Sequence, residues 1–221
     1  MASALQSPVD FHDFFTNSDT IEHFARLDYE LRAGVYIQEV HPEQRRLFWF
    51  LEDHIKPIHE FYLTVYGLKL QHRLDGTRRF YFLQPTEQTA NKIPQLYRRD
   101  LKPDLIIVGM LLCQVVFVDL EIPSTIDELM QLLVLEYAPY REGLLNHISK
   151  LKNSKYFATD LDDDKVKKWL LDAIDEFTKL GWVYKPGDGT FQIMPALNHL
   201  RDLYWDDIMR METIYKSDNS N

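Results

Sequence analysis

Apolar residues in the first third of the chain recur at helical spacing. Residues 18–33 carry them at three- and four-residue steps, with Ser18 as the expected N-cap and Gly34 as the expected stop. After an extended piece at residues 35–37, the helical spacing returns from residue 42 to residue 65. Pro57 divides that region near Lys56, because it removes a helical donor and clashes with the preceding turn. The apolar positions of the first helix are Ile21, Phe24, Ala25, Leu27 and Leu31.

After residue 67 the apolar residues recur at every second position instead of every third or fourth. Residues 68–74 alternate between apolar or histidine side chains and polar ones, which predicts a half-buried strand that carries Leu74 on its inner face. Asp75 and Gly76 supply a turn, and residues 79–83 form the returning strand, which Pro85 closes. The order is therefore helix, short strand, two helices and hairpin, which is the order of a winged helix.

The second half repeats this plan without repeating its residues. Residues 105–118 predict a buried helix, although their many β-branched residues leave a strand as the alternative. Ser124 is the expected cap of a second helix, and residues 137–159 form a polar connection. A third helix runs from the acidic residues 162–164 to Gly181, and a hairpin at residues 182–193 and a closing helix at residues 195–215 follow. The apolar stripe of the third helix is Val166, Trp169, Leu170, Ala173, Ile174, Phe177 and Leu180.

These patterns predict a mainly α fold with small β-hairpins, arranged as two tandem winged-helix domains. We expect a flexible N-terminal segment at residues 1–17 and a first domain at residues 18–84. A linker at residues 85–103 then leads into a second domain at residues 104–194 and a C-terminal helical tail at residues 195–221.

Charge is distributed unevenly along the chain. The net charge is −9, and residues 104–221 carry 20 Asp and Glu against 12 Lys and Arg. Residues 73–102 form a local basic band instead, which could contact DNA phosphates without reading sequence or could be an ordinary solvated hairpin and linker. The candidate DNA-backbone contacts are Arg78, Arg79, Arg98 and Arg99.

The third helix of the second half is a poor DNA-reading element. It carries Asp172, Asp175 and Glu176 among its lysines, and these carboxylates would repel phosphate. It contains no Arg, Asn or Gln, the side chains that most often read base edges. Sequence-specific recognition by this helix is therefore disfavoured.

Motifs for catalysis or metal binding are absent from the sequence. The 8 histidines form no His-Glu-x-x-His motif, and there is no phosphate-binding loop or nucleophile elbow. Cys113, the single cysteine, lies in an apolar stretch and should be buried and unreactive. We therefore expect no enzyme, no cofactor and no metal site.

The chain is also expected to be cytoplasmic. It has no second cysteine for a disulfide and no signal-peptide pattern, and its longest apolar run, residues 105–118, is too short to span a membrane.

Aromatic residues are more numerous than two small cores need. Large aromatics at exposed helix edges are typical anchors of protein interfaces, although each could instead seal a seam within the protein. Eight aromatics lie at predicted helix edges or loops: Trp49, Tyr62, Tyr66, Tyr97, Tyr137, Tyr140, Tyr204 and Trp205. The candidate partner-binding residues are Trp49, Tyr97, Tyr137 and Tyr140.

Several segments resemble the MukE-like subunits of bacterial condensins, and most closely the MksE branch. They are residues 27–34 (LDYELRAG), 80–85 (FYFLQP), 93–94 leading into 109–113 (GMLLC), 180–184 (LGWVY) and 191–193 (FQI). The resemblance covers residues 21–194.

The resemblance implies a tandem winged-helix subunit that dimerises and binds the kleisin of an SMC complex, an MksF-like protein. Through the kleisin it would associate with an MksB-like SMC ATPase, which supplies the catalysis. Such complexes organise or segregate chromosomal DNA, and related ones act against plasmids, so the expected location is at the nucleoid, with non-specific DNA contacts within the complex. The alternative is a stand-alone winged-helix transcription regulator.

Overall fold

The computed structural model describes residues 11–90, 101–135 and 163–218. These residues are mainly helical and include two small antiparallel sheets, which confirms the predicted fold class. The chain divides into two compact units, residues 1–99 (unit 1) and residues 100–221 (unit 2). The finer bounds of domains, linker and tail remain predictions.

Unit 1 contains the predicted order of helix, short strand, two helices and hairpin. Its sheet has the order β1-β3-β2, with Ile37 of β1 opposite Tyr81 of β3. A π-helical turn at Tyr62–Tyr66 connects α4 to β2. The elements are α1 (Phe11–Thr16), α2 (Ser18–Arg32), β1 (Ile37–Gln38), α3 (Arg45–Asp53), α4 (Ile55–Phe61), β2 (Leu68–Asp75), β3 (Arg78–Pro85) and α5 (Glu87–Ala90).

Hydrogen bonds and backbone conformation at the two ends of α2 identify its cap residues. Asn17 is the N-cap, since its side-chain oxygen accepts the Asp19 N–H at 2.8 Å, so the prediction of Ser18 was wrong by one residue. Asn17 takes the extended backbone conformation that a cap requires, and Ser18 is already helical. Gly34 ends the helix as predicted, with a φ of 79°.

The helical region divides into α3 and α4 as predicted, but the break lies at His54, three residues before Pro57, rather than near Lys56. Pro57 is the third residue of α4, a position where a backbone N–H would have no partner within the helix. The proline is therefore tolerated in the first turn of a new helix instead of ending the previous one.

The core of unit 1 is smaller than the apolar pattern suggests. Leu27 and Leu31 of α2 are buried, whereas Ile21 is 70% exposed and Ala25 is also exposed, so the apolar positions of this helix do not all lie on its buried face. At about 100° per residue they lie to one side of the buried face. The residues with almost no exposure are Leu27, Leu31, Ile37, Leu51, Ile58, Tyr62 and Phe80.

The hairpin of β2 and β3 extends beyond this core. Gly76 occupies its two-residue loop with a φ of 59°, as the predicted turn requires. Leu70 is buried, but Leu74 is 58% exposed, so the expected inward position of Leu74 was wrong. Residues 72–74 and 76–78 are all exposed, and the tip of the hairpin therefore projects into solvent.

Unit 2 begins with the apolar segment for which a strand was the alternative to a helix. Helix α6 (Pro103–Cys113) continues into a π-helical turn at Gln114–Val118, so the helix prediction is confirmed. The remaining elements are α7 (Ile126–Leu135), α8 (Asp163–Leu180), β4 (Val183–Tyr184), β5 (Gln192–Ile193) and α9 (Leu197–Asp218), which is kinked at Tyr204. The polar connection predicted at residues 137–159 lies outside the described residues.

The closing helix belongs to the core of unit 2. Leu197 and Leu200 of α9 are buried, and a Cβ atom on Gly109 of α6 would lie 2.3 Å from Cδ2 of Leu200. Only a residue without a side chain lets the two helices approach this closely.

A capping box begins α7. Thr125 is its N-cap, because the Thr125 Oγ1 atom accepts the Glu128 N–H at 3.1 Å. The Glu128 carboxylate accepts the backbone N–H of Ser124 at 2.7 Å, and this bond with that of the Ser124 hydroxyl lowers the pKa of Glu128. The prediction that Ser124 caps the helix was therefore wrong by one residue.

Helix α8 buries its whole predicted stripe. All seven residues of the predicted stripe, from Val166 to Leu180, are buried, and Gly181 ends the helix with a φ of 77°. The second hairpin is present but short, with only Val183–Tyr184 and Gln192–Ile193 paired. The Phe191 N–H donates to the carbonyl of Ser124 at 2.7 Å, so the segment before α7 lies beside β5 as β1 lies beside β3 in unit 1.

We expect Phe177→Ala to destabilise unit 2 by about 3–5 kcal/mol, because this fully buried ring lies in the α8 stripe and its removal leaves a cavity. Urea denaturation followed by circular dichroism measures the loss. Leu171→Ala, on the same helix but 39% exposed, is the control and should cost under about 1 kcal/mol. Equal effects of the two changes would contradict the assigned core face.

Candidate functional site

Of the four candidate partner-binding aromatics, the structure describes only Trp49. Trp49 lies on α3 and is 49% exposed, and its ring meets the buried Phe48 ring edge-on at 5.4 Å. Tyr97, Tyr137 and Tyr140 lie outside the described residues. The predicted groove therefore remains a prediction, with Trp49 as its one described member.

Tyr62 and Trp205, both predicted at helix edges or loops, differ in burial. Tyr62 is fully buried, and its hydroxyl donates to Asp28 at 3.3 Å, so its assignment to an edge was wrong. Burial, together with the neighbouring Asp28 carboxylate, raises the pKa of the Tyr62 phenol. Trp205 on α9 is 42% exposed, as expected for an edge residue.

An exposed cluster of one arginine and two tyrosines lies beside Asp28. The Arg32 guanidinium lies 5.6 Å from the centroid of Tyr29 and 5.7 Å from that of Tyr66, and it also forms a two-pronged ion pair with Asp28. Tyr29 is 70% exposed. This cluster is not among the residues predicted from the sequence, although the spacing of Asp28 and Arg32, four residues apart on a helix, was a usable signal.

The Arg79 side chain is engaged within unit 1. Its Nη1 atom donates to the two carboxylate oxygens of Glu52 at 2.7 and 3.0 Å, and the Tyr81 hydroxyl donates to the same carboxylate at 2.8 Å. The Glu52 carboxylate on α3 thus offsets the positive charge of Arg79, which is a candidate DNA-backbone contact. The pair also ties α3 to β3.

Arg78 is exposed and is the first residue of β3, opposite Asp75 across the turn. Arg73 and Lys102 of the same basic band are exposed as well. Arg98 and Arg99 lie outside the described residues, so the DNA-contact assignment as a whole remains a prediction.

The outer face of α8 carries the carboxylates that disfavour DNA reading. Asp175 pairs with Lys185 at 2.6 Å, and Glu176 pairs with Lys179 at 3.3 Å. Asp172 has no hydrogen-bond or ion-pair partner among the described residues. Two of the three carboxylates thus engage lysines, and Asp172 does not.

Cys113 is buried without exposure, as predicted, and burial raises the pKa of its thiol to about 12. Within residues 11–90, 101–135 and 163–218, no group of three or more metal-ligating side chains is close enough to hold an ion. No helix in the described part of the chain is long and apolar enough to cross a membrane.

Comparison with known proteins identifies a class and then a family. Residues 22–205, which span most of both units, match the model of a family of condensin complex proteins. That family is described as condensin complex protein MksE, and the chain belongs to it. No curated protein matches the chain.

We expect native Cys113 to resist thiol reagents at pH 8, because the thiol is buried and its raised pKa keeps it protonated. Absorbance of released thionitrobenzoate measures the reaction with Ellman's reagent. The same chain unfolded in guanidinium is the control and should release one equivalent within minutes. Fast reaction of the folded chain would mean that α6 opens or that Cys113 is accessible.

Proposed function

We propose that this chain is a non-catalytic subunit of an SMC-type bacterial condensin and that it acts by binding the kleisin subunit. The observation that carries the proposal is the family match, which extends over residues 22–205 and so includes most of both units. Membership of that family makes the chain a condensin complex subunit. Binding of an MksF-like kleisin is the finer proposal.

The architecture of both units supports a tandem winged-helix subunit. In unit 1, β1 pairs with β3, the second strand of the hairpin, so β3 is the central strand in the sheet order β1-β3-β2. In unit 2, the segment before α7 lies beside β5 through the bond between Phe191 and Ser124. In each unit a hairpin follows several helices and an earlier segment lies alongside it, which supports a winged-helix plan.

The exposed side chains of unit 1 suit a protein partner. Trp, Tyr and Arg are the residues that most often carry interface energy, and Trp49, Tyr29 and Arg32 are of these types. The ion pair of Arg32 with Asp28 holds the guanidinium in place before any partner arrives. Pre-organisation of this kind lowers the entropy lost on binding.

The wider role follows from the complex. We infer that the chain forms a homodimer, reaches an MksB-like ATPase through the kleisin, and works at the nucleoid in the cytoplasm. There the complex would organise or segregate chromosomal DNA or act against plasmids. DNA contact by this chain would be non-specific, since the carboxylates on α8 disfavour base reading.

We expect Trp49→Ala to weaken kleisin binding by about 2 kcal/mol, roughly thirtyfold, because an exposed tryptophan is a typical interface anchor. Calorimetric titration of the kleisin subunit into the full chain measures the affinity, with circular dichroism to verify folding. Leu203→Ala removes a side chain that is 63% exposed in unit 2 and serves as the control. Wild-type affinity in Trp49→Ala would exclude Trp49 from the interface, and no binding by the wild type would refute the proposed function.

We expect the isolated chain to bind duplex DNA weakly, with an affinity that falls steeply with salt as counterions are released. Arg78→Ala should weaken binding more than Arg79→Ala, because Glu52 already neutralises Arg79. Fluorescence anisotropy of labelled duplexes at several salt concentrations tests both points. Tight binding of one sequence that survives high salt would favour the transcription regulator instead.

A further inference from the structure

Helix α1 folds back over α2 and covers an aromatic groove in unit 1. Phe14 of α1 is buried, and its ring lies edge-on to the ring of Phe24 at 5.6 Å and to that of His54 at 5.7 Å. Phe15 meets the ring of Phe61 edge-on at 5.6 Å. A helix of six residues is unstable in water by itself, so these ring contacts hold α1 in place.

One residue, Asn17, separates α1 from α2. Helix α1 ends at Thr16 and α2 begins at Ser18, while Asn17 takes an extended backbone with a φ of −67° and a ψ of 137°. A helical ψ at Asn17 alone would join the two into one continuous helix over residues 11–32. In that joined helix Phe14 lies about 15 Å along the axis from Phe24, so α1 no longer reaches its own groove.

The joined helix would carry a self-complementary face. Four residues follow one another at steps of three, four and three and therefore lie on one side of it: Phe14, Asn17, Ile21 and Phe24. Phe14 and Phe24 are each five residues from Asp19, and Asn17 and Ile21 are each two residues from it. Two joined helices that pair antiparallel about Asp19 therefore place Phe14 of each copy against Phe24 of the other. The same pairing places Ile21 of each beside Asn17 of the other, as a two-fold contact requires.

Two observations favour a second copy of this chain as the occupant of the groove. The groove already holds α1, so the identical α1 of another copy can make the same ring contacts in the same antiparallel direction. Exchange of an identical element costs little for that reason. In addition, Ile21 is apolar but 70% exposed in the single chain, and the antiparallel pairing covers it.

We propose that two copies of this chain exchange α1, so that the joined helix of each copy inserts Phe14 into the aromatic groove of the other. The inference rests on the homodimer of the proposed function and names its contact surface. It does not depend on the kleisin. Asn17 is the hinge, and Ile21 makes a contact that only the dimer contains.

The first part of the experiment measures the dimer affinity of the full chain by sedimentation equilibrium. Ile21→Asp should weaken the dimer by at least about tenfold, because it places a charge in the paired face. Val65→Asp is the control, since Val65 is also apolar and 56% exposed in unit 1 but lies outside that face. The control should stay within about twofold of wild type. Circular dichroism and thermal melting verify that both variants are folded.

Two hinge variants form a matched pair in the same measurement. Asn17→Ala removes the N-cap of α2 and favours a continuous helix, whereas Asn17→Gly keeps most of the cap and disfavours one. Each dimer contains two hinges, so the preference acts twice. We expect the alanine variant to dimerise about tenfold more tightly than the glycine variant.

The second part of the experiment measures the shape of the helix within the dimer. Nitroxide labels at the exposed positions of Asp13→Cys and Ala33→Cys report one distance by pulsed electron resonance, with labelled chains diluted into unlabelled ones. The native Cys113 is buried and is protected from the label. We expect about 30 Å in the joined helix, against roughly half of that when α1 folds back.

A dimer with the shorter distance would overturn the inference and leave the homodimer intact. Wild-type affinity in Ile21→Asp, or equal affinities in the two Asn17 variants, would overturn it as well. A wild type that stays monomeric at every concentration would refute the homodimer together with this inference. Kleisin binding is measured separately by titration, so that part of the proposed function stands or fails independently.

Discussion

Burial of one apolar helix face against a small hairpin sheet is the interaction on which both units depend. Helices α3 and α4 are nine and seven residues long, and helices of that length are unstable in water without packing partners. In unit 1 they gain stability from Phe48, Leu51 and Ile58, all buried in the core. In unit 2 the stripe of α8 has the same role, and the close approach of α9 at Gly109 completes that core.

In both units, charged side chains form ion pairs and hydrogen bonds with side chains that are close to them in space. Asp28 accepts hydrogen bonds from Arg32 and Tyr62, and Glu52 accepts them from Arg79 and Tyr81. The first network ties α2 to the π-helical turn, and the second ties α3 to the hairpin. Each anchors a charged group next to the core, which limits the charge left for an external ligand.

This local satisfaction explains why a DNA-reading surface does not follow from the sequence charges alone. The basic band contains Arg79, but the Glu52 carboxylate offsets that charge at 2.7 Å. On α8, lysines pair with carboxylates of the same surface. These pairings reduce the charge that either surface offers to a phosphate backbone. A subunit that binds proteins within a condensin complex fits this balance of groups.

The sequence by itself determined the order and type of the elements. Periods of 3.6 and 2 are local properties, so α8, the first hairpin and the Gly34 and Gly181 stops could all be predicted from neighbouring residues. The family could also be inferred, because several short segments of the chain resemble those of MksE-like subunits. Cap positions were misplaced by one residue at Ser18 and Ser124, since competing polar side chains at adjacent positions differ only in backbone conformation.

Tertiary structure decided which side chains are exposed and which charges remain unpaired. Ile21 and Leu74 are apolar but exposed, and Tyr62 is buried with its hydroxyl on Asp28, because the position of the core depends on residues far apart in sequence. The pairing of Arg79 with Glu52 joins residues 27 positions apart, and no local pattern could predict it. The same holds for the groove of about 370 Å³ between the start of α6 and a face of α8, because it exists only when both helices are in place.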